Sequence, residues 1–240
     1  MSKMTIQKIV NYLLGLLFPI SCFGCHKEGA YLCQTCSQPL AQETKFICPI
    51  CNRLSFYGQT CLDCQKKTFL NGLVWLVPYC HQVIRKMIHS FKYEFVKDLA
   101  KPLGSLMTKT ILSSELKNLF SAKENWLIIP VPLQKTKFNE RGFNQAELLA
   151  KEIANQIEIP FERDVLIKIK NTPSQTTLTE KERQENIKGV FLIKDTNIIK
   201  NKNIILIDDV TTTGATLEES AKILKEAGAK LIWGFVLAKG

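Results

Sequence analysis

Residues 208–216 read Asp208-Asp209-Val210-Thr211-Thr212-Thr213-Gly214-Ala215-Thr216, two adjacent carboxylates followed by a run of hydroxyls and a glycine. Such a set can grip a phosphorylated sugar. Hydroxyls and backbone N–H groups at a helix N-terminus suit a phosphate. The carboxylates would repel that phosphate and instead suit the vicinal hydroxyls of the attached sugar, or a metal ion. The plainer reading, one Asp as a helix cap and the other merely exposed, must explain why strand, acidic pair, Thr-rich turn and helix coincide.

A second chemistry is carried by sulfur. Eight of the nine cysteines form four Cys-x-x-Cys pairs: Cys22 and Cys25, Cys33 and Cys36, Cys48 and Cys51, Cys61 and Cys64. Each knuckle presents two thiolates, and two knuckles complete the four-thiolate set that structural zinc takes. Two zinc ions are therefore expected. Sequential pairing puts one on Cys22, Cys25, Cys33 and Cys36 and the other on Cys48, Cys51, Cys61 and Cys64; the spacing also leaves a cross-braced arrangement, first knuckle with third, open. Disulfides would demand an oxidising compartment, and an iron–sulfur cluster is the remaining rival. His26 is read as a bystander, and Cys80, in an apolar run, as a buried packing residue.

The elements that position these groups follow from periodicity. Four consecutive branched residues, 204–207, read as a strand buried on both faces, and 217–227 has helical spacing, so the acidic pair sits where a strand passes through a short loop into a helix. Ligands of open α/β sheets lie at that edge. Further strands are expected at 72–79, 126–130, 165–169, 191–193 and 231–236, with helices at 83–95, 97–112 and 144–156. This alternation predicts an α/β fold with a doubly wound, mostly parallel sheet. After Pro130-Val131-Pro132-Leu133 comes a basic loop containing Lys135, Lys137 and Arg141 that opens into a helix near Asn144, a second candidate anion site. The polar stretch 171–184 is expected to be a flap, with Thr179 and Glu182 in capping-box spacing.

The 240 residues carry 45% hydrophobic and 22% charged side chains, the profile of an ordinary globular protein, with no apolar run long enough to span a bilayer. A net charge of +10 suits an anionic partner, though the basic residues are spread along the chain and a solvated helix face accounts for the mild cluster Arg85, Lys86, Lys92, Lys97, Lys101. The apolar run 9–20 is broken by Asn11 and lacks a small-x-small cleavage site before Cys22, so it reads as a docked amphipathic helix and the protein as cytoplasmic. Residues 1–70 thus form an N-terminal helix plus a double zinc module with too little apolar content to fold without metal, and 71–240 the larger domain.

The stretch 204–216 resembles the ribose-5-phosphate signature of type I phosphoribosyltransferases. The resemblance implies that Asp208, Asp209, Thr211, Thr212, Thr213, Gly214, Ala215 and Thr216 line a site for phosphoribosyl pyrophosphate (PRPP), the acidic pair on the ribose and the turn on the 5-phosphate. In such enzymes Mg2+ accompanies the pyrophosphate, and Lys137 or Arg141 would be the catalytic cation stabilising its departure. Over nearly its full length the chain resembles the ComF (ComFC, GntX-like) competence proteins. The match rests on the Cys-x-x-Cys module, Pro130-Val131-Pro132-Leu133, Arg141-Gly142-Phe143-Asn144-Gln145, Thr172 with Gln175 and Leu178, Arg183 with Asn186, and the phosphate signature. One departure is Glu94-Phe95 after Lys92-Tyr93, where that family commonly has a glycine. This resemblance implies handling of incoming single-stranded DNA in the cytoplasm during natural transformation, beside a helicase-type partner. Two functions of different class follow: a DNA-binding module that holds PRPP or a related sugar phosphate, or a working phosphoribosyltransferase of unknown acceptor.

Overall fold

Side chains of Ile204, Ile205, Leu206 and Ile207 are wholly buried, as a continuous branched run demands of a strand covered on both faces. The computed structural model describes residues 19–40, 44, 46–112, 116–121, 124–170 and 187–240. In chain order the elements are α1 (Gln34–Ser37), β1 (Gly72–Pro78), α2 (Gln82–Tyr93), α3 (Ala100–Leu112), α4 (Leu116–Leu119), β2 (Trp126–Pro130), α5 (Lys135–Arg141), α6 (Gln145–Ile157), β3 (Leu166–Lys168), β4 (Phe191–Ile193), α7 (Thr196–Ile199), β5 (Asn203–Thr211), α8 (Ala215–Glu226) and β6 (Leu231–Lys239). The expected N-terminal helix and the flap, with Thr172, Gln175, Leu178, Thr179, Glu182, Arg183 and Asn186, lie outside the described residues.

Strands pair in the order β1-β6-β5-β2, all parallel. Because side chains alternate along β5, Ile205 and Ile207 join Leu103, Met107 and Leu149 on the side covered by α2, α3 and α6. Ile204 and Leu206 join Leu217, Ala221 and Leu224 of α8 on the other. Helices on both faces make this the doubly wound α/β fold expected from the sequence. Gly104 lets α3 lie directly on α6, since a Cβ there would stand 2.7 Å from that of Glu152.

Three expectations are corrected. β3 and β4 do not extend the main sheet but form a separate antiparallel pair. Strands this short, Leu166–Lys168 and Phe191–Ile193, look alike in sequence whichever sheet they join. The basic loop is a helix, α5, closed by Gly142 at φ 72° with its N–H donating to Phe138 O at 2.7 Å. Cys80 is exposed, because β1 stops at Pro78 and the chain turns there into α2. The turn after α2, where a glycine is common in the resembling family, keeps a left-handed residue in Phe95 at φ 59°.

The cysteine region is the same small motif twice. In each copy the first cysteine donates its N–H across a turn (Cys22 to Lys27 O, Cys48 to Arg53 O) and accepts at its carbonyl from a left-handed residue after the second cysteine, His26 or Asn52. One antiparallel bridge closes each, Ser21 with Glu28 and Ile47 with Leu54. The second copy lies along the outer edge of β1, where Thr60 N–H donates to Asn71 O at 2.9 Å and Thr60 Oγ1 to Leu70 O at 2.7 Å.

Candidate functional site

Among the described residues, the groups expected of a sugar-phosphate site gather about the C-terminal edge of β5. Asp208 Oδ1 accepts from Asp209 N–H at 2.9 Å and Asp209 Oδ1 from Val210 N–H at 2.8 Å, so each carboxylate is oriented by the next amide. Asp209 Oδ2 meets the Lys92 ammonium, delivered by the last turn of α2, at 2.8 Å. Burial, then the neighbouring Asp209, push the Asp208 carboxyl up to about 8. Burial alone would push Lys92 down, but its ion pair with Asp209 outweighs that and holds it up.

Beyond the pair the chain bends through Thr212 and Thr213 into α8, with Gly214 at φ 79°. A side chain at Gly214 would meet nothing within 4 Å, so the glycine serves the left-handed backbone and the space beside it stays open for a ligand. Ala215 N–H points at Thr213 Oγ1, 3.4 Å away.

Asp208, Asp209 and Thr216 line a cavity of about 230 Å3 whose other wall brings Lys92, Lys137, Arg141 and Lys168 together. Arg141 donates to Gln145 Oε1 at 3.0 Å and stacks over Tyr93, 5.3 Å from the ring centre. Burial followed by Arg141 and Lys92 depresses Lys137, and burial followed by Lys137 depresses Lys168. Ammonium groups crowded until they shed protons more readily are relieved by a multiply charged anion. Asn144 fixes the loop opposite: its side chain caps α6 by accepting from Ala146 N–H at 3.1 Å and donates to Val131 O at 3.0 Å.

The knuckles pair sequentially. The sulfurs of Cys22, Cys25, Cys33 and Cys36 lie within 4.8 Å of one another, as do those of Cys48, Cys51, Cys61 and Cys64. Main-chain N–H groups of Cys33 and Cys61 reach the sulfurs of Cys22 and Cys48 at 3.4 and 3.5 Å. For Cys22, burial raises the thiol pKa but the amides of Cys33, Cys25 and Gly24 bring it down to about 6; Cys36 is pushed up to about 12, chiefly by its hydrogen bond with Cys33. Four sulfurs this close do not all ionise without a cation between them, and both quartets fit a tetrahedral thiolate metal.

The phosphoribosyl transferase domain family matches residues 144–240. Competence protein F of Haemophilus influenzae is 28% identical over 229 residues, 92% of this chain and 98% of that protein. Competence protein ComFC of Bacillus subtilis is 30% identical over 210 residues, 84% of this chain and 81% of that protein. The chain belongs to the ComF family of competence proteins. DNA utilization protein YhgH of Escherichia coli is similar as well, 25% identical over 224 residues covering 87% of this chain and 96% of that one.

In this ComF chain, Lys137 and Arg141 line one cavity with the acidic pair. The Thr bend, however, turns two ways: Thr216 lines that cavity, while Thr211, Thr212, Thr213, Gly214 and Ala215 line another. Two site residues went unassigned in the sequence. Lys92 reads there as part of a solvated basic face, and its signal is its place in the last turn of α2, directed past the sheet edge at Asp209. Lys168 sits on a three-residue strand and carries no sequence signal.

Proposed function

We propose that this ComF protein handles incoming single-stranded DNA in the cytoplasm during natural transformation, using a pocket shaped for PRPP or a related sugar phosphate. The observation that carries this reading is the cavity in which the Asp208–Asp209 pair, Thr216 and four cations meet. The carboxylates would hold sugar hydroxyls, the bend a phosphate, and Lys137, Arg141 and Lys168 further phosphate charge, joined by Mg2+ when PRPP is the ligand. The competence and DNA-utilization names of the relatives, together with the net charge of +10, favour a strand of nucleic acid as the larger ligand. Each sulfur quartet would hold one structural zinc, Cys22, Cys25, Cys33 and Cys36 the first and Cys48, Cys51, Cys61 and Cys64 the second. The metal supplies folding energy there and takes no part in chemistry. The exposed apolar side chains Leu54, Phe56 and Leu62 on the second motif suit a protein partner, for which a helicase of the uptake machinery is the candidate.

A second reading, an active phosphoribosyltransferase, is favoured by the placement of Lys137 and Arg141 opposite the acidic pair, where a departing pyrophosphate would need them. Calorimetry with PRPP and Mg2+, and anisotropy with a labelled oligonucleotide over a salt series, test the first reading. Both ligands should bind, the strand with steep salt dependence, and Asp208→Asn with Asp209→Asn should cost PRPP at least tenfold in affinity. Pyrophosphate release in the presence of an acceptor would decide for the enzyme. Absence of strand binding at low salt would end the DNA reading.

A further inference from the structure

The bend of Thr211, Thr212, Thr213, Gly214 and Ala215 also walls a second cavity, of about 350 Å3, on the side away from the acidic pair. Its floor is apolar, Ile50 from the second cysteine motif with Leu70 and Leu73, and its cations are Lys67, Lys188 and Lys239. Two carboxylates line it as well, each turned toward its own donors: Glu218 accepts from Thr68 Oγ1 at 2.5 Å and Phe69 N–H at 2.8 Å, and Glu219 accepts from Gly189 N–H at 2.6 Å. Three lysines against two such carboxylates, beside apolar wall residues, suit a phosphate attached to a flat, weakly polar body.

A terminal 5-phosphate such as that of PRPP needs the bend to be open on one side. Here Thr211 to Ala215 line one cavity while Thr216 lines the other with the acidic pair, so a phosphate seated on the bend can carry a second ester. The carboxylate pair adds a condition, because it needs a sugar hydroxyl and an internal deoxyribose of DNA has none free. The deoxyribose that does is the last one, with its 3′-hydroxyl. We infer, building on the DNA reading above, that the site captures the 3′-hydroxyl end of a single strand. The terminal sugar lies on Asp208 and Asp209, its 5′-phosphodiester on the Thr bend, and the penultimate nucleotide in the second cavity, between the cysteine motif and Lys67, Lys188 and Lys239.

The test uses the 240-residue chain and a 5′-labelled fifteen-residue oligothymidylate with either a 3′-hydroxyl or a 2′,3′-dideoxy end. A generic basic surface would bind the two equally, since they carry the same charge. The acidic pair loses its hydroxyl donor on the dideoxy end, so about tenfold weaker binding of that form is expected. PRPP should displace the hydroxyl-ended strand. Lys67 and Lys188 are exposed, so the double variant K67E/K188E is expected to fold. It should weaken strand binding about tenfold and flatten its salt slope by about one to two contacts, and cost PRPP less than it costs the strand. Equal binding of the two strand ends, or strand binding untouched by saturating PRPP or by K67E/K188E, overturns the inference and leaves the DNA reading standing. A protein that binds PRPP but neither strand overturns both.

Discussion

Asp208 and Lys92 have opposite effects on stability, and both follow from the charge at one strand end. Asp208 is held protonated up to about pH 8 by burial and by Asp209. A carboxyl whose folded-state pKa lies above its ordinary value of about 3.9 binds a proton in the folded state that the unfolded chain has lost, so stability falls as pH rises from about 4 to about 8. Asp208→Asn removes that loss. Its unfolding free energy from urea titration should match the parent near pH 4 and exceed it increasingly toward pH 8, by up to about 1.4 kcal/mol per pH unit; a difference constant with pH would contradict the assignment. Lys92→Met leaves Asp209 without the ammonium now 2.8 Å away. It should destabilise the protein to urea at pH 7 by about 1–3 kcal/mol; unchanged stability would contradict the ion pair. The acidic pair therefore costs folding energy that the lysine offsets in part, as expected of groups held ready for a ligand.

At the scale of elements, the close crossing of α3 and α6 turns an ordinary preference around. Alanine in place of a mid-helix glycine is normally worth about 1 kcal/mol in propensity. At Gly104 the added methyl would press on the Cβ and Cγ of Glu152 at 2.7 and 2.6 Å, and overpacking typically costs about 1–3 kcal/mol. Gly104→Ala should therefore lower the urea midpoint, with the slope unchanged; a raised midpoint would mean that the helices can slide apart freely. That contact pairs residues far apart in the chain, and nothing local announces it. By contrast, the Ile204–Ile207 run, the Thr bend, the start of a helix near Asn144 and the eight cysteines were legible, because strand burial, turn chemistry, helical periodicity and metal ligation each depend on residue type at short spacing. The α5 helix was not, since a seven-residue basic segment lacks an apolar stripe and is held by its Gly142 cap and its neighbours. Lys168 was not, because the β3–β4 pairing joins segments more than twenty residues apart in the chain. Sequential knuckle pairing needed three-dimensional placement to decide, and so did the duplication of the cysteine motif.

For the molecule as a whole, the cysteine region does more than decorate the N-terminus. β1 is an edge strand, paired on one side with β6, and its other side is bordered by the second motif through Gln59, Thr60 and the closely packed Gly58, where a Cβ would fall 2.4 Å from Leu73 O. The following segment is clamped to α8 by Glu218, one turn beyond the phosphate bend. Phe46 and Tyr57 pack the motif against the main core, but it is too small to keep its own shape; with a metal on each sulfur quartet, as proposed above, its removal should bare the edge of β1 while leaving the inner strands paired. Treatment with a chelator and a reductant should release two zinc equivalents per chain, or one from Cys25→Ser protein. Deuterium uptake should then rise in residues 72–78 and in the first turn of α8, with residues 203–211 protected as before because β5 keeps both neighbours. Uptake rising equally across 203–211 would mean that the metal sustains the whole sheet, and unchanged uptake in 72–78 would mean that the motif merely rests beside the strand.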